Sequence, residues 1–324
     1  MTRTGLLTAI VVVGLAVASV AAQRGPGIPP TGTIRNVRGN LYMIPGQGPN
    51  TLVFLTKTGV VLVDTKLPNN GEAILKQVRT ITDQPVSMII NTHSHPDHTG
   101  SNDYFPASVE VVTHENTQKW MAANPKTAAN AAMMPDRTFA DRMRLGSGDD
   151  RIDLYYFGAG HTSGDAFVVF PAVRVMAAGD QMAWKMAPLI DPAAGGSVVA
   201  LPDTLEKALK GVPNVDTVIE GHGGVSTWAG FRDYVQFNRA LLDAAKAGMG
   251  KRTAEEIAAG LKPKFPVFTK EVLLTDIEYG GTPLSRAVIN VNVAFQELRG
   301  EPVTTNFGGR AGAAPAAPGP PPGR

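Results

Sequence analysis

The sequence predicts an α/β fold in which helices cover mixed sheets, and three observations carry that assignment. Short β-branched runs alternate with longer amphipathic stretches through both halves of the 324-residue chain. Strands and helices are intermixed in each half without a plain βαβ alternation, which points to layered packing. Residues suited to acid–base or metal chemistry fall directly after predicted strands, where sheet edges present loops. An apolar content of 43% with 18% charged residues fits a globular body with a large core.

The elements follow in order. Arg3 precedes an uncharged run from Leu6 to Ala18, and Val20-Ala21-Ala22 supplies small residues for cleavage, so residues 1–22 read as a secretory signal peptide. An uncleaved anchor is the other reading, although the run is short for spanning a bilayer. Residues 23–32, rich in Gly and Pro, and 307–324, almost wholly Gly, Ala, Pro and Arg, read as flexible tails around one folded domain at 33–306. Strands are expected at Leu41–Ile44, Thr51–Thr56 and Val60–Asp64, with a turn at Lys57-Thr58-Gly59. A helix follows at Asn70–Thr80, then a buried strand at Val86–Asn91, a helix beginning near Ser101, a strand at Val109–Thr113 and a helical region from Glu115 towards Met134. In the second half, strands are expected at Arg151–Phe157, Ala166–Phe170, Val173–Ala178 and Thr217–Glu220. Helices are expected at Pro202–Lys210, Thr227–Ala247, Thr253–Leu261 and Pro283–Arg299.

Composition excludes several function classes. With 30 Lys and Arg against 28 Asp and Glu, and no basic run interleaved with aromatics, nothing suggests a nucleic-acid partner. The absence of cysteine removes disulfides, thiolate ligands and a thiol nucleophile, leaving an exported protein that relies on its core and any bound metal.

Chemistry concentrates at residues 93–98, His-Ser-His-Pro-Asp-His, which hold three of the six histidines. On an extended chain His93 and His95 share a side, while Asp97 and His98 lie beyond the turn at Pro96, so one loop can serve two ions. His161, Asp180 and His222 each follow a predicted strand beside glycine, which permits a tight turn and a close approach. Imidazole and carboxylate are the ligands zinc takes when thiols are missing. His114 stands outside this pattern and reads as a helix cap or an exposed residue. The Gly46–Asn50 and Trp184–Met186 loops are candidates to line a pocket, with ordinary loop chemistry the favoured reading.

The ordered set Asp64, His93-x-His95-x-Asp97-His98, His161, Asp180 and His222, with the stretch THSHPDHTGSN from Thr92 to Asn102, resembles the signature of the metallo-β-lactamase fold superfamily over roughly residues 34 to 225. The resemblance implies a four-layer αβ/βα sandwich with a two-metal site at the edge of its sheets. It implies His93, His95 and His161 on one ion, Asp97, His98 and His222 on the other, Asp180 bridging them, and Asp64 orienting the cluster loop from behind. Asp180 is similar to the bridging residue of glyoxalase II-like thioesterases and lactonases, where class B β-lactamases commonly carry Cys or Ser. His95 departs from the flavodiiron branch, which has Glu there.

The expectation is therefore a secreted hydrolase, periplasmic or extracellular, with two Zn²⁺ ions, iron or manganese being the alternatives. A hydroxide on the metals would attack an ester, thioester, lactone or lactam carbonyl of a small molecule, with Asp97 orienting it and passing a proton to the leaving group. A class B-like β-lactamase and a mononuclear-iron persulfide dioxygenase-like oxidoreductase are the other readings. No stable membrane association is expected after signal cleavage, and the sequence sets no oligomeric state.

Overall fold

The computed structural model describes residues 31–303 apart from Gln47 and 274–282. The expected signal peptide and C-terminal tail, and all but the end of the 23–32 segment, lie outside the described residues.

Two sheets form the centre. The first holds β1 (Arg35–Arg38), β2 (Leu41–Ile44), β3 (Thr51–Thr56), β4 (Gly59–Val63), β5 (Val86–Ile90), β6 (Glu110–His114) and β7 (Arg137–Phe139), hydrogen-bonded in sequence order. Pairing is antiparallel as far as β4 and parallel from β4 to β7. The second runs β13-β12-β11-β10-β9-β8, built from β8 (Arg142–Leu145), β9 (Ile152–Tyr155), β10 (Phe167–Phe170), β11 (Val175–Ala177), β12 (Thr217–Ile219) and β13 (Val225–Thr227). Only β11 and β12 pair parallel in it. A small hairpin joins β14 (Glu271–Leu273) to β15 (Pro283–Ser285).

Side-chain alternation explains the layering, because successive residues of a strand face opposite sides. Leu52, Phe54, Val61 and Val63 of the first sheet meet Leu154, Val168, Phe170 and Val175 of the second in the central core. Phe54 and Phe170 touch across it, ring centroids 4.8 Å apart, a contact of about 0.5–1.5 kcal/mol beyond area burial. The intervening residues Val53, Val60 and Leu62 face outward onto Ile74 and Val78 of α1 (Gly71–Val78). Phe167, Val169 and Met176 likewise face a helical layer of α5 (Leu201–Gly211), α6 (Trp228–Gly248), α7 (Ala254–Leu261) and α8 (Arg286–Leu298), which completes the sandwich. The remaining helices, α2 (Pro96–Thr99), α3 (Glu115–Ala123) and α4 (Pro125–Ala128), lie between strands of the first sheet. No described helix is long and apolar enough to cross a membrane.

Some local expectations are corrected. No helix begins near Ser101: Pro96 starts the short α2 earlier, and only a 3₁₀ turn follows at Asn102–Tyr104. Ser101 instead donates its hydroxyl to the Leu67 carbonyl and accepts from the Asn70 amide. The helical region towards Met134 breaks after Ala123, because Pro125 holds Asn124 extended and starts a new turn. Residues 283–285 are strand, so the last helix begins at Arg286. Strands β1, β7, β8, β13, β14 and β15 were not expected; most are three residues long, and Arg142-Met143-Arg144-Leu145 is largely exposed.

Candidate metal centre

Every sequence-predicted ligand, with Asp64 behind them, comes to one edge of the two sheets. Asp64 follows β4, the histidine cluster follows β5, Asp180 follows β11 and His222 follows β12, while His161 sits in the loop between β9 and β10. Three groups form with candidate ligand atoms within 4.8 Å of one another: His93, His95, His161; His93, His98, Asp180; and Asp97, His98, His222. Asp180 lies between the flanking groups, its carboxylate 3.4 Å from His98 Nε2, 3.3 Å from His222 Nε2 and 3.8 Å from His161 Nε2. Asp97 stands 3.2 Å from His222 Nε2 and 3.7 Å from His98 Nε2.

The donor sets fit metal ions. Among the described residues, His93 Nε2, His98 Nε2 and Asp180 Oδ1 are buried with no hydrogen-bond partner, and a buried polar atom left unsatisfied costs about 1–3 kcal/mol. The opposite ring nitrogens are occupied. His98 Nδ1 donates to Asp64 Oδ2 at 2.7 Å, and a carboxylate can only accept, so in the neutral ring Nε2 carries the lone pair. His161 Nδ1 donates to the Leu189 carbonyl, and His95 Nε2 to Asp191 Oδ2 at 2.8 Å, which turns His95 Nδ1 towards His161 Nε2, 2.9 Å away. The Thr92 hydroxyl donates to Asp64 Oδ2 and so accepts from His93 Nδ1 at 3.1 Å.

Asp64 is the hub behind the cluster. It accepts from the Thr92 amide, the Thr92 hydroxyl and His98 while buried in a left-handed conformation, φ 61°. Neighbouring Lys66, fully buried, donates to the carbonyls of Ile44, Gly46 and Pro49, so it ties down the loop beside the site. Burial pulls Lys66 down to about 7, partly offset by Asp64, yet three carbonyl acceptors match the three hydrogens of the ammonium form. At Gly48 an added Cβ would stand 3.7 Å from Asp97 Cβ, so the Gly46–Asn50 loop borders the centre. At Gly221 a Cβ would fall 2.0 Å from Asp180 Oδ1, so only glycine leaves that carboxylate room.

Electrostatics separate the two ends. Burial and neighbouring imidazoles hold His93 well below the ordinary histidine range, and burial, with His95, draws His161 down to about 4. At His98 burial opposes charge, but Asp64, Asp180 and Asp97 outweigh it and hold the group well above its usual value. His222 is likewise raised, Asp180 and Asp97 overcoming burial. Burial also opposes charge on Asp97 and Asp180, and the imidazoles of His98 and His222 more than compensate, keeping both carboxylates low.

Sequence reasoning missed Asp191 and Trp184 as partners of His95 and His222. Trp184 stacks on His222 with ring centroids 4.1 Å apart and planes at 22°. Asp191 precedes Pro192 and caps a 3₁₀ turn, which looks like ordinary loop chemistry in the sequence. His114 is a helix cap: its Nδ1 accepts from the Asn116 amide and its Nε2 donates to the Ala140 carbonyl.

The model of the metallo-beta-lactamase superfamily matches residues 43–223, more than half of the chain. A 2,4-dinitroanisole O-demethylase subunit alpha from Nocardioides sp. is 28% identical over 151 residues, 45% of each chain. A metallo-beta-lactamase type 2 from Bacillus sp. is 25% identical over 177 residues, 54% of this chain and 67% of that one. The chain thus spans under half the length of the first relative and about two thirds of the second. In structure, a metallo-beta-lactamase from Pontibacter korlensis superposes with a TM-score of 0.55 at 23% identity, covering 63% of this chain and 98% of that one. The chain belongs to the metallo-beta-lactamase superfamily.

Proposed function

We propose that this protein is an exported hydrolase that holds two zinc ions and cleaves an ester, thioester, lactone or lactam carbonyl of a small molecule. The observation that supports it most is the convergence of His93, His95, His161 with Asp97, His98, His222 about Asp180, with three ligand atoms buried and unsatisfied. The first three residues would hold one ion, the second three the other, and Asp180 both. Bound there, the ions would supply a nucleophile from water at neutral pH and stabilise negative charge on the carbonyl oxygen.

The chain's own residues determine how substrate meets that centre. The His95 and Asp97 side chains are 24% and 30% exposed, whereas those of His98, His161 and Asp180 are nearly closed off, so substrate approaches over His95 and Asp97. Asp97 Oδ2 faces His222 and His98 within the centre, and this half-open carboxylate is suited to take a proton from the attacking water and return it to the leaving group. Asp64 and Asp191 hold His98 and His95 in the tautomers that leave a lone pair inward. Ser and Cys nucleophiles are not needed.

The test joins metal quantification to a substrate panel. Protein purified without added metal and then reconstituted is expected to hold two zincs and turn over at least one of nitrocefin, acyl thioesters, acyl-homoserine lactones and aryl esters; turnover of only an aryl methyl ether, included because of the O-demethylase relative, would overturn the carbonyl assignment. Asp97→Ala and His161→Ala should each remove that turnover while the fold persists. Turnover surviving both substitutions, or a single iron with oxygen uptake on a persulfide, would overturn the proposal.

A further inference from the structure

Four of the five histidines in the centre are oriented by hydrogen bonds from the ring nitrogen that faces away from it, to Thr92, Asp191, Asp64 and the Leu189 carbonyl. His222 differs. Among the described residues its ring makes polar contacts only through Nε2, to Asp97 and Asp180. What holds the imidazole plane is Trp184, stacked at 4.1 Å, and Trp184 is itself covered by the Arg286 guanidinium, whose Cζ lies 4.6 Å from the ring centroid. Trp184 thus contacts both the imidazole and the guanidinium through its ring and links the two.

The Arg286 end of the stack is unusual for a cation. Its residue is 7% exposed, Nε and Nη1 have no hydrogen-bond partner among the described residues, and the indole face joins the nearby Tyr234 and Asp180 in holding it. The Trp184 end is constrained as well. Trp184 adopts φ 57°, rare for a bulky side chain, followed by Lys185 at φ 49°, and its amide donates to the His222 carbonyl at 2.9 Å. Backbone and ring therefore both tie Trp184 to His222. Arg286 opens α8, beyond the family-matched segment, so the C-terminal helical layer reaches the centre through this stack.

We infer that Trp184, pressed by Arg286, is a positioning residue that sets the plane of the His222 ring and so the aim of Nε2 into the Asp97, His98, His222 group. This rests on the proposal that His222 binds metal. Where the other histidines use a hydrogen-bond acceptor, this one uses a stacked indole backed by a buried cation.

The experiment titrates metal-free full-length protein with Zn²⁺ against a chromophoric chelator, and with Co²⁺ followed by visible absorption. Wild type, Trp184→Ala, Trp184→Phe, Arg286→Met and His222→Ala are compared. Trp184→Ala is expected to weaken one of two equivalents by about ten- to hundred-fold, the range for loss of a ligand-orienting partner, and to alter the cobalt spectrum of that equivalent alone. His222→Ala should abolish the same equivalent, Trp184→Phe should restore most of its affinity because a ring remains, and Arg286→Met should fall between. Unchanged affinities in Trp184→Ala, or equal weakening of both equivalents in the Ala and Phe variants, would overturn the inference. Fewer than two equivalents in wild type would overturn the two-metal reading itself, an outcome visible before any variant is compared.

Discussion

Replacing Asp64 by Asn tests the support behind the cluster most sharply, because it changes one atom in a buried carboxylate and leaves its shape. Asn tolerates the left-handed conformation at φ 61° as Asp does, so the backbone contributes little to the difference. The carboxylate accepts three hydrogen bonds: Oδ1 from the Thr92 amide at 2.8 Å, and Oδ2 from the Thr92 hydroxyl at 2.8 Å and His98 at 2.7 Å. An amide has only one acceptor atom. With its NH₂ at the Oδ1 place, the buried Thr92 amide loses its acceptor, at a cost of about 1–3 kcal/mol. With NH₂ at the Oδ2 place, His98 must accept through Nδ1, and the proton moves to Nε2, where a metal needs a lone pair. Folding stability of the metal-free protein should fall by roughly 2–4 kcal/mol, summing one orphaned donor and the weakened charge-assisted bonds. Affinity for the second metal should fall about ten- to hundred-fold, or about 1.4–2.7 kcal/mol. Urea unfolding and zinc competition against a chromophoric chelator measure the two quantities. An Asp64→Asn protein with a wild-type urea midpoint and two wild-type affinities would refute this account of Asp64.

Further predictions follow from the same contacts. Lys66→Met keeps the stem and the positive φ while leaving the Ile44, Gly46 and Pro49 carbonyls without their shared donor; it should cost on the order of 3 kcal/mol by thermal or urea unfolding, and faster hydrogen exchange should appear in the 44–50 loop. Gly221→Ala places a methyl 2.0 Å from Asp180 Oδ1, so it should lower metal stoichiometry as read by elemental analysis; full retention of both ions would contradict the close packing there. pH should separate the two sites. His98 and His222 are raised above the ordinary histidine value and keep protons at lower pH that a metal must displace, whereas His93 lies well below it and His161 at about 4, so both are already neutral. As pH falls from 7 towards 5, affinity for the second equivalent should drop more steeply than that for the first; calorimetry in buffers of different ionisation enthalpy should show more protons released with the second equivalent.

The layers and the metal-binding candidates were legible because they rest on local pattern. Val53, Val61 and Phe167 alternate with residues of the opposite face, and that period of two writes the sandwich into each strand. The cluster from His93 to His98 is contiguous, and His161, Asp180 and His222 each stand at a strand end beside glycine. Short elements were less legible. β7, β11, β12 and β13 have three residues each, and of these only the two apolar ones, β11 and β12, were expected. α4 depended on Pro125 breaking a helix that propensity alone would continue.

By itself, the sequence determined which atoms can bind a metal and which face of each strand is buried, since both follow from residue type and short-range period. Tertiary structure alone decided how those atoms are aimed. Asp191 reaches His95 across 96 positions, Lys66 ties down a loop 17 to 22 residues before it, and Arg286 presses Trp184 onto His222 from the far end of the domain. Such contacts leave no periodic trace, because each joins two loops or helix ends whose separation is set by how the layers pack.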